Sequence, residues 1–162
     1  MTGAVVRTLG ADDVDRYRTA RLNGLRLEPT AFGSSHEIEA SMPDSFWASR
    51  VAPDGGDVVG VFVNGELVST GAVIPDAAVD RGCLMVGMWT EPAHRSNGHG
   101  SSVIDALLQC GVARGYSVIS CSVTVGNDRA GELYLRHGFV VSGEPKTRAS
   151  DGSTTLHMSR PL

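Results

Sequence analysis

Cysteine is scarce in this sequence and poorly placed for cross-linking or metal binding. Cys83, Cys110 and Cys121 are odd in number, sit inside apolar segments and lack C-x-x-C spacing. Buried free thiols are therefore expected, not a disulfide framework or a zinc site. Long apolar runs are missing too: no stretch approaches the roughly 18 residues of a membrane span. The start, M-T-G-A-V-V-R-T-L-G-A-D-D, has no basic region leading into a signal-like apolar segment. A cytoplasmic protein that does not engage a membrane is expected. Positive charge is not in excess, and a formal net charge of -4 gives no overall basic footprint for nucleic acid. The balance fits a cationic acceptor better. There is no G-x-S-x-G nucleophile elbow, no G-x-x-x-x-G-K-[ST] phosphate loop, no internal repeat and no low-complexity tract.

The 162 residues, 41% of them hydrophobic, suit a single domain with a proper core. They are organised around Met85 to Val112. A nearly unbroken apolar run ends at Thr90, a Pro turn follows, and Arg95-Ser96-Asn97-Gly98-His99-Gly100 opens a helical pattern with apolar Val103, Ile104, Leu107, Leu108 and Val112. At a strand-loop-helix junction the first N–H groups of the helix have no intrahelical acceptor and form an anion site. Gly98 and Gly100 let the backbone approach that anion, and Arg95 adds a charged fork of donors suited to phosphate. The stretch reads as a pyrophosphate cradle, with ordinary turn chemistry as the alternative. A dinucleotide fold is a poor match, because the third glycine position is Val103 and the motif starts late, after the Pro turn.

Along the chain, Ala4 to Leu9 reads as a strand. Asp12 and Asp15 start a helix carrying Val14, Tyr17 and Leu25, which Gly24 weakens near its end. Pro29 and Gly33 interrupt two helical stretches, and Pro43 to Arg50 continues the second, with Phe46 and Trp47 as packing residues. A Pro53 to Asp57 loop leads into Val58 to Val63 and Leu67 to Ile74, a hairpin turned at Asn64-Gly65. Cys83 to Thr90 is a strand covered on both faces. The anion-site helix ends at Arg114-Gly115. Ile119 to Val125 is a strand whose Ser120, Ser122 and Thr124 give it a polar face. A helix over about Asp128 to His137 stops at Gly138. Phe139 to Ser142 and Thr154 to Met158 then close a hairpin around a polar Glu144 to Ser153 loop. The result is an α/β chain with a mostly antiparallel start and one clear crossover.

The R-x-x-G-x-G order after W-T-E-P resembles the acetyl-coenzyme A motif of the GNAT superfamily of N-acetyltransferases. G-N-D-R-A-G-E-L-Y-L-R-H-G-F, from Gly126 to Phe139, is similar to the family's N-x-x-A-x-x-L-Y-x-x-x-G-F signature. The resemblance covers nearly the whole chain and is strongest from Leu84 to Phe139. It implies one α+β three-layer domain over residues 1–162, with a mixed central sheet of about seven strands and helices on both faces. It also implies acetyl-CoA as cosubstrate with no metal, a small-molecule or peptide amine as acceptor, and a state that is commonly dimeric.

Residue by residue, the resemblance gives Met88, Trp89 and Thr90 main-chain contacts to the pantetheine arm. It wraps the pyrophosphate with Arg95, Ser96, Asn97, Gly98, His99, Gly100 and Ser101. The Met88 N–H becomes the oxyanion donor and Tyr134 the proton donor. Asn127 either contacts the cofactor arm or caps its helix. R-L-x-x-L-R-x-x-P-x-A-F-G-S-S-x-E is similar to the region that walls the family's acceptor pocket. It makes Phe32, Ser34, Ser35 and Glu37 acceptor-side candidates, together with Ser122, though two ordinary surface helices would read the same.

The sequence departs from the family in three places. Leu84 and Ser122 stand where members often place a glutamate base, leaving Asp80, Glu37 or the histidines as substitutes; Glu91 lies on the wrong side of the motif. His99 replaces an aliphatic residue, and Asn97 a glycine or base. His94 and His99 read as loop histidines, without a third partner at metal-ligand spacing. Acidic Glu28, Glu37, Glu39 and Asp44 point to a cationic amine, or to a solvated helix face. Two functions fit: an N-acetyltransferase working by direct amine attack, or a non-catalytic CoA or acyl-CoA binding module that kept the cradle and lost the base.

Overall fold

The computed structural model describes residues 3–162. Among the described residues the chain forms eight strands and five α-helices in one mixed sheet with helices on both faces. The strands are β1 (Val5–Thr8), β2 (Asp57–Val63), β3 (Glu66–Pro75), β4 (Gly82–Thr90), β5 (Val118–Thr124), β6 (Val140–Val141), β7 (Lys146–Thr147) and β8 (Thr154–Pro161). The helices are α1 (Val14–Leu27), α2 (His36–Ala40), α3 (Asp44–Val51), α4 (His99–Ala113) and α5 (Asp128–Arg136). The order across the sheet is β1-β2-β3-β4-β5-β8-β6, with β7 also on β8.

The β2-β3 turn forms as expected: Asn64 and Gly65 both take positive φ, 52° and 83°, the backbone that lets two strands meet over two residues. Three expectations are corrected. Pro43 to Arg50 does not continue the second helical stretch; Pro43 sits in extended backbone as the N-cap of a separate helix, α3, because a proline has no N–H to carry a helical ladder through. The Glu144 to Ser153 loop contains a short strand, β7, whose register on β8 pairs Lys146 with Thr155. Gly24 does not bring α1 to an end, and the helix runs on to Leu27. A side chain at Gly24 would lie 3.1 Å from the Trp89 ring, so the glycine lets the helix seat against that indole.

Two apolar layers sandwich the sheet. Val103, Ile104 and Leu107 of α4 pack on one face with Val59, Val61, Cys83, Met85 and Ile119. Tyr17, Ala20 and Leu25 of α1 and Trp47 of α3 pack on the other with Val58, Phe62 and Trp89. Strand parity explains the alternation in β2. In β4 the parity breaks. Thr70 pairs with Trp89 but Ala72 pairs with Val86, so Gly87 and Met88 together face the single Gly71. Gly87 adopts φ 66°, a backbone that a residue with a Cβ rarely takes. The bulge turns Met88 toward the α4 layer and Trp89 toward the α1 layer. Gly71 has no side chain where the Met88 sulfur lies.

This bulge and the topology together open the sheet. β4 and β5 are the parallel pair, and their register covers only Gly82 to Leu84 against Val118 to Ser120. Beyond Leu84 the strands part, and among the described residues the β5-facing edge of β4 from Met85 to Thr90 has no strand partner.

Candidate active site

Two cavities flank the parted strands. One, of about 540 Å³, lies between the end of β4, the start of α4 and the start of α5. The other, of about 570 Å³, lies between β4, β5, the α1–α3 segment and β7. Both are walled by Met88, Asn127, Ala130 and Tyr134, so they meet at that point.

In the first cavity the residues at the head of α4 are arranged to receive an anion. Gly98 is the N-cap, with φ 79°, and no side chain caps the helix. The helical ladder begins where the Ser102 N–H donates to the Gly98 carbonyl at 3.0 Å. The N–H groups of His99, Gly100 and Ser101 precede it and have no intrahelical acceptor. A Ser, Thr or Asp cap would occupy this end with its own oxygen; glycine leaves it open to an outside anion. At Gly100 a side chain would come within 3.1 Å of Leu133 on α5, so the glycine sets how close the two helix starts lie.

Of the residues assigned to the cofactor, Met88, Trp89, Thr90, Arg95, Ser96, Gly98, His99, Gly100, Ser101, Asn127 and Tyr134 line this cavity. Asn97 does not. Its side-chain amide donates to the carbonyls of His94 and Arg95, both at 3.2 Å, so it braces the loop. Arg95 is already engaged: its Nε donates to the Thr90 carbonyl at 2.9 Å and its Nη2 pairs with Glu28 at 2.9 Å. Asn127 accepts from the Ala130 N–H at 3.4 Å, so it caps α5 while also facing both cavities. Arg129 and Arg136 line the same cavity and were not anticipated. Their seven-residue spacing on a helix, bracketing Leu133, was the available signal.

In the second cavity Phe32, Ser34 and Ser122 are wall residues. Ser35 and Glu37 are not. Ser35 is the N-cap of α2, accepting from the Ile38 N–H at 3.3 Å, and Glu37 is exposed to solvent. The wall carboxylate is Glu39, 2% exposed. The Arg21 Nε and Nη2 atoms donate to its two oxygens at 2.9 and 2.8 Å. Burial alone would raise the Glu39 pKa; the Arg21 fork, with Arg50 and Ser34, outweighs it and leaves the group lowered. A carboxylate held ionised by a bidentate arginine is a poor proton acceptor. The other acids that suggested a cationic acceptor are engaged elsewhere: Glu28 with Arg95, and Asp44 with Arg18 at 3.3 Å on the surface.

Tyr134 is 6% exposed, and burial raises the pKa of its phenol above the ordinary value, so it is protonated at neutral pH. Cys121 also lines the second cavity. Burial pushes its thiol up to about 12, which withholds the thiolate that nucleophilic catalysis needs.

The profile of the acetyltransferase (GNAT) family matches residues 20–139. The chain belongs to the acetyltransferase (GNAT) family. Members of this family are generally acyltransferases that use acetyl-CoA. The chain superposes on the GNAT-family acetyltransferase of Streptococcus pneumoniae with a TM-score of 0.80 at 18% identity, over 99% of each chain. YncA of Salmonella typhimurium, solved with its cofactor acetyl-CoA, gives 0.84 at 15% identity over 99% of this chain and 95% of that one. The ribosomal-protein-alanine N-acetyltransferase of Brucella melitensis gives 0.79 at 16% over 98% and 99%. Identities this low establish the GNAT fold and not the acceptor. A search of curated proteins found no match.

Proposed function

We propose that this GNAT protein is an N-acetyltransferase that moves the acetyl group of acetyl-CoA onto a primary amine by direct attack. One observation carries the reading: an anion-receiving cavity and a second cavity meet at Met88 and Tyr134. In this reading the pyrophosphate lies on the open N–H groups of His99, Gly100 and Ser101, with Ser96 and Gly98 at its back. The pantetheine arm follows the unpaired edge of Met88, Trp89 and Thr90 as an added strand would. The thioester then reaches the junction of the two cavities, and the amine comes from the side of Phe32, Ser34 and Ser122.

The amine, after losing a proton to water, attacks the thioester carbonyl. A C–N bond forms, and the oxyanion is met by the Met88 N–H, a type of contact worth roughly 3 kcal/mol of barrier. The C–S bond breaks, and the thiolate takes the proton of Tyr134, which the nitrogen of the collapsing adduct restores through solvent. Desolvation at the junction lowers the pKa of a bound amine, and among the described residues the acceptor wall carries one carboxylate, the paired Glu39. The neutral Cys121 thiol fits a route with no acyl-enzyme.

The paired Glu39 also favours a second reading, a CoA-binding module without turnover. Thiol release from acetyl-CoA, followed against a panel of primary amines, separates the two. Release that depends on an amine supports the enzyme. Tight acetyl-CoA binding with no release for any amine supports the module. A cytoplasmic location belongs to the same proposal, and the three free cysteines fit a reducing compartment.

A further inference from the structure

The acceptor cavity runs against the charge of the chain. The protein carries a net charge of -4, yet the cavity wall presents Arg21, Arg50, Lys146 and Arg148 against one carboxylate, Glu39. Several of these charges are already partnered. Glu39 holds Nε and Nη2 of Arg21. Arg148 donates to the Phe32 carbonyl at 2.8 Å and pairs with Asp151 at 3.0 Å.

Among the described residues, Arg50, Lys146 and the Arg21 Nη1 make no hydrogen bond to a carboxylate. Arg50 comes no nearer to Glu39 than 3.8 Å. Lys146, the sequence's single lysine, makes no ion pair among the described residues. The Arg21 Nη1 takes no part in the bond to Glu39 and lies 3.6 Å from where a side chain on Gly87 would begin. That places a free donor of a guanidinium 11% exposed beside the β4 bulge, next to the reacting end.

A wall of this kind selects by charge. Guanidinium forks bind carboxylates bidentately with charge-assisted bonds, while a second ammonium would meet like charge with nothing free to neutralise it. The volume is within the range of small-molecule sites. Resting on the acetyltransferase reading above, we infer that the acceptor is an amine that also carries a carboxylate, of the amino-acid class. Its amine is at the Met88 and Tyr134 junction, and its carboxylate is on the cationic wall that Arg21, Arg50 and Lys146 contribute to. Polyamines and amines with a second cationic group are poor acceptors.

The experiment is a rate comparison by thiol release from acetyl-CoA with L-amino acids, their amides, their decarboxylated amines and spermidine. The expected result is a kcat/KM at least tenfold higher for some acid than for its amide and its decarboxylated partner. The Arg50→Ala/Lys146→Ala protein should narrow that ratio at least tenfold, mainly by raising KM for the acid. Amides or spermidine used as well as the acids, or an unchanged ratio in the double variant, would overturn the inference. Both side chains are partly or fully exposed, so the variant is expected to fold, and thermal unfolding checks it. If no amine releases thiol, the acetyltransferase reading itself falls. Calorimetry of the same acids and amides on the CoA-saturated protein then decides the charge inference: binding of acids alone supports it, and binding of both or neither overturns it.

Discussion

The two cavities share four wall residues and are otherwise built in opposite ways. The cofactor side is made of consecutive backbone: the bulged end of β4, a loop and the first turn of α4, with its donors supplied by N–H groups. The acceptor side is made of side chains from α1, α2, α3, β5 and β7, brought together from positions as distant as Arg21 and Arg148. Backbone donors do not depend on which side chains surround them, so the first kind of site is expected to withstand changes at His99 and Asn97. The second kind changes with every substitution of a wall side chain.

The largest effect expected on this contrast is at Glu39. Glu39→Gln leaves the Arg21 guanidinium without its ionic partner in a mostly buried position, and a loss of about 3 kcal/mol is expected from urea unfolding at neutral pH. The sign of its pH dependence follows from its lowered pKa. The contribution is fully present above the ordinary glutamate value of 4.5 and is lost as pH falls through the lower folded value. The gap between wild type and variant should therefore close only in acid. Acetyl-CoA affinity per folded molecule should stay within a few-fold, which would show that the two sides are separable.

Next in size is the junction itself. Tyr134→Phe is expected to lower kcat roughly a hundredfold, in the range for removal of a proton donor, with acetyl-CoA affinity by calorimetry changed no more than threefold. An unchanged kcat would remove Tyr134 from the mechanism.

A smaller effect is expected from the cradle. Gly98→Ala carries about 1 kcal/mol of left-handed strain, and Gly100→Ala pushes on Leu133. Together they should weaken acetyl-CoA binding about tenfold, leaving KM for the amine near its original value. Smallest is Glu28→Gln, which removes an exposed carboxylate from the cofactor cavity and frees the Arg95 fork. Because such pairs are worth about 1 kcal/mol or less, acetyl-CoA binding should tighten only two- to threefold, and less at high salt.

Most of the fold was legible because its signals are local. Asn64-Gly65 fixes a hairpin, alternation marks β2 and β5, and Arg95 to Gly100 followed by a 3.6-residue period marks the cradle and α4. Two features were not legible. The run from Cys83 to Thr90 reads as one uniform strand, yet the bulge at Gly87 reverses which faces Met88 and Trp89 present; the reversal depends on Gly71 and Gly24, far along the chain, making room for those side chains. The acids of the α1 to α3 segment looked like a cationic-amine pocket, since a sequence shows charges without their partners.

The sequence by itself determined the family and most of the element order, because the motifs and the hydrophobic periods rest on residues within a few positions of one another. The tertiary structure alone decided that β4 and β5 part after Leu84, that Ser35 and Asn97 brace their own loops, and that Glu37 faces solvent. It also decided that the Arg21 fork holds Glu39 while Arg50 stands 3.8 Å from the same carboxylate and Lys146 makes no ion pair among the described residues. Charge pairing and strand separation are long-range outcomes, set by which distant segments the packed core brings to the same wall.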